Sequence, residues 1–288
     1  MRGYKYLFLL PGLLVLVAII LFPLLFTIRV SLSGWDVNQP GLNWIGGENY
    51  ARMLSDNRFW EALVRLDVMA IGTVLLQYVL GFALALLVWR DIRCKRFFRV
   101  LFLVPMMTTP VIMTVIWRTI FSESLGPVND ILNRIGLPSV PWITDAAMAF
   151  ISVMIVEVWQ WTPFMFLLLL AGLLSLPREP FLAAAIDGAG PIRTFLRVTF
   201  PAMAPISISA LIIRFIEASK ILDTVYVLTS GGPGTATETS SYYIYIRGLR
   251  DFQIGYASAL SFTYLVIMII TLTIVAKLLA RVLLGRST

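Results

Sequence analysis

Long stretches of this chain carry no charge. Residues 6–28 hold no Asp, Glu, Lys or Arg, and neither do residues 68–89 or 252–276. Each run reaches the roughly 20 residues that a helix needs to cross a hydrocarbon core about 30 Å thick. In lipid, backbone N–H and C=O groups must be paired within the segment, so the runs predict helices. Three further apolar stretches are broken only by prolines or isolated charges. The pattern as a whole predicts spans near residues 6–30, 66–89, 100–120, 147–175, 205–226 and 257–280. It describes an all-α polytopic membrane protein with six transmembrane helices, organised as a single domain over residues 1–288. Arg2 and Lys5 precede the first run as they would in a secretory signal. Its apolar length exceeds the roughly 7–15 residues of a signal core, so a retained first helix is expected.

Six spans leave both termini on one side of the membrane. That side receives Arg2, Lys5, Arg90, Arg93, Lys95, Arg96, Arg99, Arg178, Arg193, Arg197, Arg281 and Arg286. The other side receives half as many, Arg52, Arg58, Arg65, Arg134, Arg247 and Arg250, on longer loops. Cytoplasmic loops carry the excess of Lys and Arg, so both termini and the 176–204 segment are expected in the cytoplasm. The formal net charge of +7 is then a topology signal and an anchor for lipid headgroups, not a nucleic-acid patch. The composition agrees: 59% of residues are hydrophobic and 14% charged, where soluble domains carry about 25% charged residues. The chain has no histidine, and its one cysteine is Cys94. This excludes His-based catalysis, the common zinc sites and an intramolecular disulfide.

One cytoplasmic segment stands out. In "LPREPFLAAAIDGAGPIRTFLRVTFPAMAP", Pro180 suits a first helical turn, "FLAAAID" continues it, and Gly188 stops it in a positive-φ conformation. A second short helix is predicted from Pro191 to Pro201. Composition alone reads this as an ordinary connecting loop. Its length and helix signals read equally well as a docking element, since the small alanines let a partner approach closely.

These residues also resemble the cytoplasmic EAA loop of ABC importer permeases. The match runs through Pro177, Ala183, Ala184, Asp187, Gly188, Ala189 and Pro201; Leu182 stands where the family has Glu. "NYARMLSDNRFWEAL", "LGPVNDILNRIGLP", "WQWTPFMFLLLLAGLLSLP" and "YVLTSGGPGTATET" resemble the sugar-transport branch of the same superfamily. The resemblance implies a permease in a bacterial cytoplasmic (inner) membrane. Its partners would be a second permease subunit in a heterodimer, two cytoplasmic ATPase subunits and an extracytoplasmic solute-binding protein. It assigns ATPase coupling to Ala183, Ala184, Asp187, Gly188 and Ala189. The chain lacks a Gly-x-x-x-x-Gly-Lys-Ser/Thr phosphate loop. ATP and Mg are therefore expected on the partner ATPases, with no cofactor or metal and no enzymatic step in this chain.

Charged residues within spans face a bundle interior or a watery cavity by default. Glu157, Gln160 and Trp161 share one face of the fourth predicted span. Such a face would suit a sugar, and it would also suit an interfacial position near the outer surface. In the fifth predicted span, Arg214, Glu217, Lys220 and Asp223 recur every three residues. The spacing pairs Arg214 with Glu217 and Lys220 with Asp223, either as two local ion pairs or as a wall of the solute path. Pro105, Pro110 and Pro163 are expected to break helices where another group takes up the freed carbonyls, and Thr108 and Thr109 lie between the first two. Gly81 and Ala85 form a small-residue face for close helix contact. The expected function is import of a sugar, oligosaccharide, polyol or acidic sugar derivative by alternating access. The alternative is a self-sufficient transporter coupled to an ion gradient.

Overall fold

The computed structural model describes residues 3–89 and 94–284; Arg2, Arg90, Arg93 and Arg286 of the charge count lie outside them. Among the described residues the fold is helical, and the only extended pairing is an isolated antiparallel bridge between Ser33 and Trp44. The helices in chain order are α1 (Gly3–Ser31), α2 (Glu48–Leu54), α3 (Asn57–Trp89), α4 (Lys95–Leu101), α5 (Pro110–Ile120), α6 (Pro127–Arg134) and α7 (Ala146–Ser175). They continue as α8 (Glu179–Ile186), α9 (Pro191–Thr194), α10 (Phe200–Ala202), α11 (Ala204–Ala218), α12 (Asp223–Leu228), α13 (Ser240–Tyr245) and α14 (Ile254–Leu284).

Among the described residues, four helices are long and apolar enough to span a bilayer: Leu9–Ser31, Asn57–Trp89, Ala146–Ser175 and Ile254–Val282. They correspond to four of the six predicted spans. The other two are not single helices. The third predicted span consists of α4, a 3₁₀ turn at Val104–Met107, and α5. Pro105 and Pro110 each lack the N–H that would continue an α-helical ladder. The fifth predicted span stops at Ala218 and restarts as α12. On its N-terminal side, Pro191–Ala202 and Ala204–Ala218 form one bent pair with an angle of 64°. The second half of the 176–204 segment therefore runs into α11 through a π-turn at Phe195–Thr199 and a bend at Met203, without a detached loop.

The chain divides into two compact units. Unit one comprises residues 1–61 and 240–269. Its loop after α1 is tied down by Asn49, whose amide donates to the carbonyls of Ser31 and Ser33 at 2.9 Å each. Asp56 accepts hydrogen bonds from the hydroxyls of Tyr243 and Tyr256, both at 2.5 Å. Burial by itself raises the Asp56 carboxyl. The two phenols, the Phe59 N–H and the nearby Arg247 charge together outweigh that effect and hold it below its ordinary value. Burial and the Asp56 carboxylate push the Tyr243 phenol up to about 12.

Unit two comprises residues 62–239 and 270–288. Its core joins α3 and α7 through Phe82, Ala85, Val88, Phe166, Leu169 and Leu173. Gly81 lies so close to α7 that a Cβ there would come 2.9 Å from the Phe166 nitrogen. Ala85 is fully buried, and the small-residue face predicted for these two positions is the contact surface. Gly172 gives α7 the same close approach on another side, against Ile206 and Met203. The apolar stretch within Leu9–Ser31 buries nothing inside the chain.

Candidate functional site

Two places in unit two hold the residues singled out in the sequence. The first is a charged centre among α3, α7, α11 and α12. Arg214 is 1% exposed and Glu157 5% exposed, and the Arg214 Nη2 lies 3.1 Å from the Glu157 Oε2. Arg214 Nε donates to Gln77 Oε1 at 2.8 Å, and Gln77 Nε2 donates to the Glu157 backbone carbonyl at 3.0 Å. Thr224 Oγ1 donates to the remaining carboxylate oxygen of Glu157 at 2.5 Å. The Arg214 guanidinium also lies 4.9 Å from the Trp161 ring centroid, close enough for a cation–π contact. A buried charge is tolerable only when paired and hydrogen-bonded, and this cluster meets both conditions through four helices.

The pairing differs from the one the spacing suggested. Arg214 is bound across the bundle to Glu157 and not along its own helix to Glu217. Glu217 lies about 60° around the helix from Arg214 and is exposed. It pairs instead with Lys220 at 3.0 Å. Lys220 lies within the interruption between Ala218 and Asp223, where helical spacing no longer holds, so the predicted Lys220–Asp223 pair does not form. The interruption is satisfied by side chains: Ser219 Oγ donates to the Phe215 carbonyl and Thr239 Oγ1 to the Ile221 carbonyl. Glu157, Trp161, Arg214, Glu217, Lys220 and Asp223 line one cavity of about 140 Å³.

Gln160 serves the neighbouring break. Its amide donates to the carbonyls of Pro105 at 2.9 Å and Thr108 at 3.0 Å. Thr108 Oγ1 also donates to the Pro105 carbonyl, at 2.8 Å. Gln160 and Thr108 thus take up the acceptors released where the third predicted span is interrupted. Gln77 and Thr224 were missed as members of the centre. Gln77 had a visible signal, an isolated amide within the uncharged 68–89 run. Thr224 had none beyond its neighbour Asp223.

The second place is the segment around α8. Helix α8 ends as the Ala189 N–H bonds to the Ala184 carbonyl at 2.9 Å and the Gly188 N–H to the Ala185 carbonyl at 3.1 Å. These are the two bonds of a Schellman cap, which needs a left-handed residue between the last turn and the exit. Gly188 supplies it with φ +68°. Ala184 is buried, whereas Ala183, Asp187 and Gly188 are exposed and Ala189 is half-buried. Leu182 is 63% exposed and Ile186 88% exposed, with Ile192 and Leu196 also open. Beneath this surface, Phe181 packs on Trp89 of α3 with ring centroids 5.5 Å apart, and Phe195 packs edge-on to Phe82 at 5.6 Å.

Residues 77–287 match the family described as "Binding-protein-dependent transport system inner membrane component". A probable ABC transporter permease protein of Sinorhizobium fredii is 35% identical over 282 residues, covering 97% of this chain and 90% of the relative. A trehalose/maltose transport system permease protein of Thermococcus litoralis is 35% identical over 272 residues, covering 94% and 91%. A sulfoquinovosyl glycerol transport system permease protein of Agrobacterium fabrum is 34% identical over 253 residues, covering 87% and 82%. Among solved structures, a chain of a bacterial ABC transporter that imports the acidic polysaccharide alginate shares the fold. Its TM-score is 0.82 at 21% identity, with 97% of this chain and 96% of that chain covered.

Proposed function

The chain belongs to the family of binding-protein-dependent transport system inner membrane components, and on that basis we propose that it forms one membrane-spanning half of an ATP-driven importer for a saccharide or a related polyol. The observation that carries the reading is the α8 surface. Leu182, Ile186, Ile192 and Leu196 leave an apolar face open to solvent, beside exposed Asp187 and Gly188 on a defined helix end. Contiguous exposed apolar surface marks a partner site. The partners in this reading are two ATPase subunits, which hold ATP and Mg, a second permease subunit and a solute-binding protein. The open Leu182 supports an apolar contact where the resembling loops place a Glu. The basic residues around the same segment support a cytoplasmic location for it and for both termini.

The solute class rests on the names of the relatives and on the charged centre. Arg214 and Glu157 spend their hydrogen bonds on each other and on Gln77 and Thr224. They position the wall, and Trp161 with the exposed Glu217 and Lys220 is left to meet the solute. The test is reconstitution in vesicles with the co-expressed subunits and binding protein, measuring uptake of trehalose, maltose and a uronate with and without ATP. ATP-dependent saccharide uptake is expected. Uptake by the lone chain under a proton gradient, with no ATPase co-purifying, would overturn the reading.

A further inference from the structure

Unit one contains a cavity that the transport pathway above does not use. It measures about 420 Å³ and is lined by Trp35, Asp36, Gln39, Glu48, Arg52 and Gln253 among others. This volume is within the range of small-ligand sites, roughly 300–1,000 Å³. Its chemistry is mixed, with one indole, one phenol, two carboxylates, three amides and a guanidinium. We infer that it is a saccharide subsite on the outer face, accepting one neutral sugar ring; this rests on the reading of the chain as a saccharide importer.

Three properties support the inference. The first is composition: an indole offers an apolar face to the C–H side of a sugar ring, while carboxylates accept from its hydroxyls and Arg or Gln donate to them. The second is rigidity. Asp36 Oδ1 accepts the N–H groups of Asn38 and Gln39 at 2.7 and 2.8 Å. The Trp35 carbonyl accepts the Gly255 N–H at 2.9 Å. Arg52 donates to Gln253 Oε1 at 2.9 Å and stacks 4.0 Å from the Tyr256 centroid. A Cβ at position 255 would fall 2.1 Å from the Ser33 carbonyl oxygen, so only glycine lets α14 seat against this loop. A lining held in place in advance lowers the ordering cost of binding. The third is charge. Asp36 and Glu48 outnumber Arg52, which disfavours an acidic sugar by repulsion. No group of three His, Cys, Asp or Glu suited to a metal exists among the described residues.

The test uses the full chain with its co-purifying subunits in lipid nanodiscs. Saturation-transfer NMR is recorded with trehalose, maltose, sorbitol and galacturonate as probes. A signal from the neutral probes exceeding that from galacturonate is expected. Trp35→Ala and Glu48→Gln should each weaken it about tenfold, an effect near 1.4 kcal/mol, and Trp35→Phe should largely retain it. Equal thermal unfolding midpoints in the variants show that folding is not the cause. The inference is overturned if no neutral probe gives a signal, or if the signal survives Trp35→Ala and Glu48→Gln and disappears only in Trp161→Ala. Parallel uptake separates the two readings. Failed ATP-dependent saccharide uptake by the wild type sinks the importer reading, whereas normal uptake without a Trp35-dependent signal sinks the subsite alone.

Discussion

The charged centre and the α8 segment lie in the same unit and treat their polar groups in opposite ways. At the centre, every prominent group turns inward: Arg214 meets Glu157, Gln77 and Trp161, and Thr224 closes the other carboxylate oxygen. Around α8, Asp187, Arg193 and Arg197 face solvent together with bare Leu182 and Ile186. A network closed on itself has little left to offer a ligand, and its value is in fixing where its helices stand. An open surface on a firm base has the reverse character.

The largest expected effect tests closure. Glu157→Ala leaves Arg214 buried without its partner, which should cost about 3–5 kcal/mol. The amount of folded protein extracted from membranes should collapse. The double variant Glu157→Leu/Arg214→Leu should recover much of it, because an apolar pair of suitable size needs no compensation. If Glu157→Ala accumulates and melts like the wild type, the centre is not a closed structural network. Next comes the open surface. Gly188→Val places a β-branched residue at φ +68°, straining the cap by about 1–3 kcal/mol. The protein should still reach the membrane, with ATP-driven uptake at least about tenfold lower and less ATPase co-purifying. Unchanged uptake and retention would dissociate the cap from docking.

A third test addresses the border between the two kinds of site. Gln160→Leu removes the donor to the Pro105 and Thr108 carbonyls, at a cost of about 1–3 kcal/mol. The unfolding midpoint should fall, and solute selectivity should stay the same. A changed selectivity at an unchanged midpoint would make Gln160 a solute contact after all. The smallest effect on stability is expected for Glu217→Ala/Lys220→Ala. An exposed pair is worth less than about 1 kcal/mol, so the melting curve should barely move. Relative uptake of neutral and acidic saccharides should change. A large destabilisation would place that pair with the closed group.

Much of this was readable from residue order. The uncharged runs located three of the four long helices, an apolar stretch broken by Glu157 located the fourth, and Pro180, Gly188 and Pro191 marked the α8 segment to within a residue or two. The conformation at Gly188 followed from its place after an alanine helix, because a Schellman cap is a local motif. The charge pairing was not readable. Sequence spacing compares residues on one helix, whereas Glu157 and Arg214 lie on different helices, 57 positions apart. The interruption after Ala218 also had no local proline to announce it. Its carbonyls are satisfied by Ser219 and by Thr239 from a later loop, a contact that only tertiary structure reveals. Asp56 was overlooked for the same reason, since Tyr243 and Tyr256 lie almost two hundred residues away.

Helix α3 gives these two sites a mechanical relationship. Gln77 touches the charged centre, and Trp89 of the same helix supports Phe181 under the α8 surface. The intervening backbone is unbroken helix, roughly 18 Å long at about 1.5 Å per residue. Tyr78 braces it with a 2.9 Å hydrogen bond to Ser207, and α11 carries both Ser207 and Arg214. Two struts of nearly fixed length, cross-tied beside Gln77, form a truss that resists stretching but can pivot. A load applied under Phe181 can turn this frame more easily than compress it, and the turning would be felt at the joint between Arg214 and Gln77.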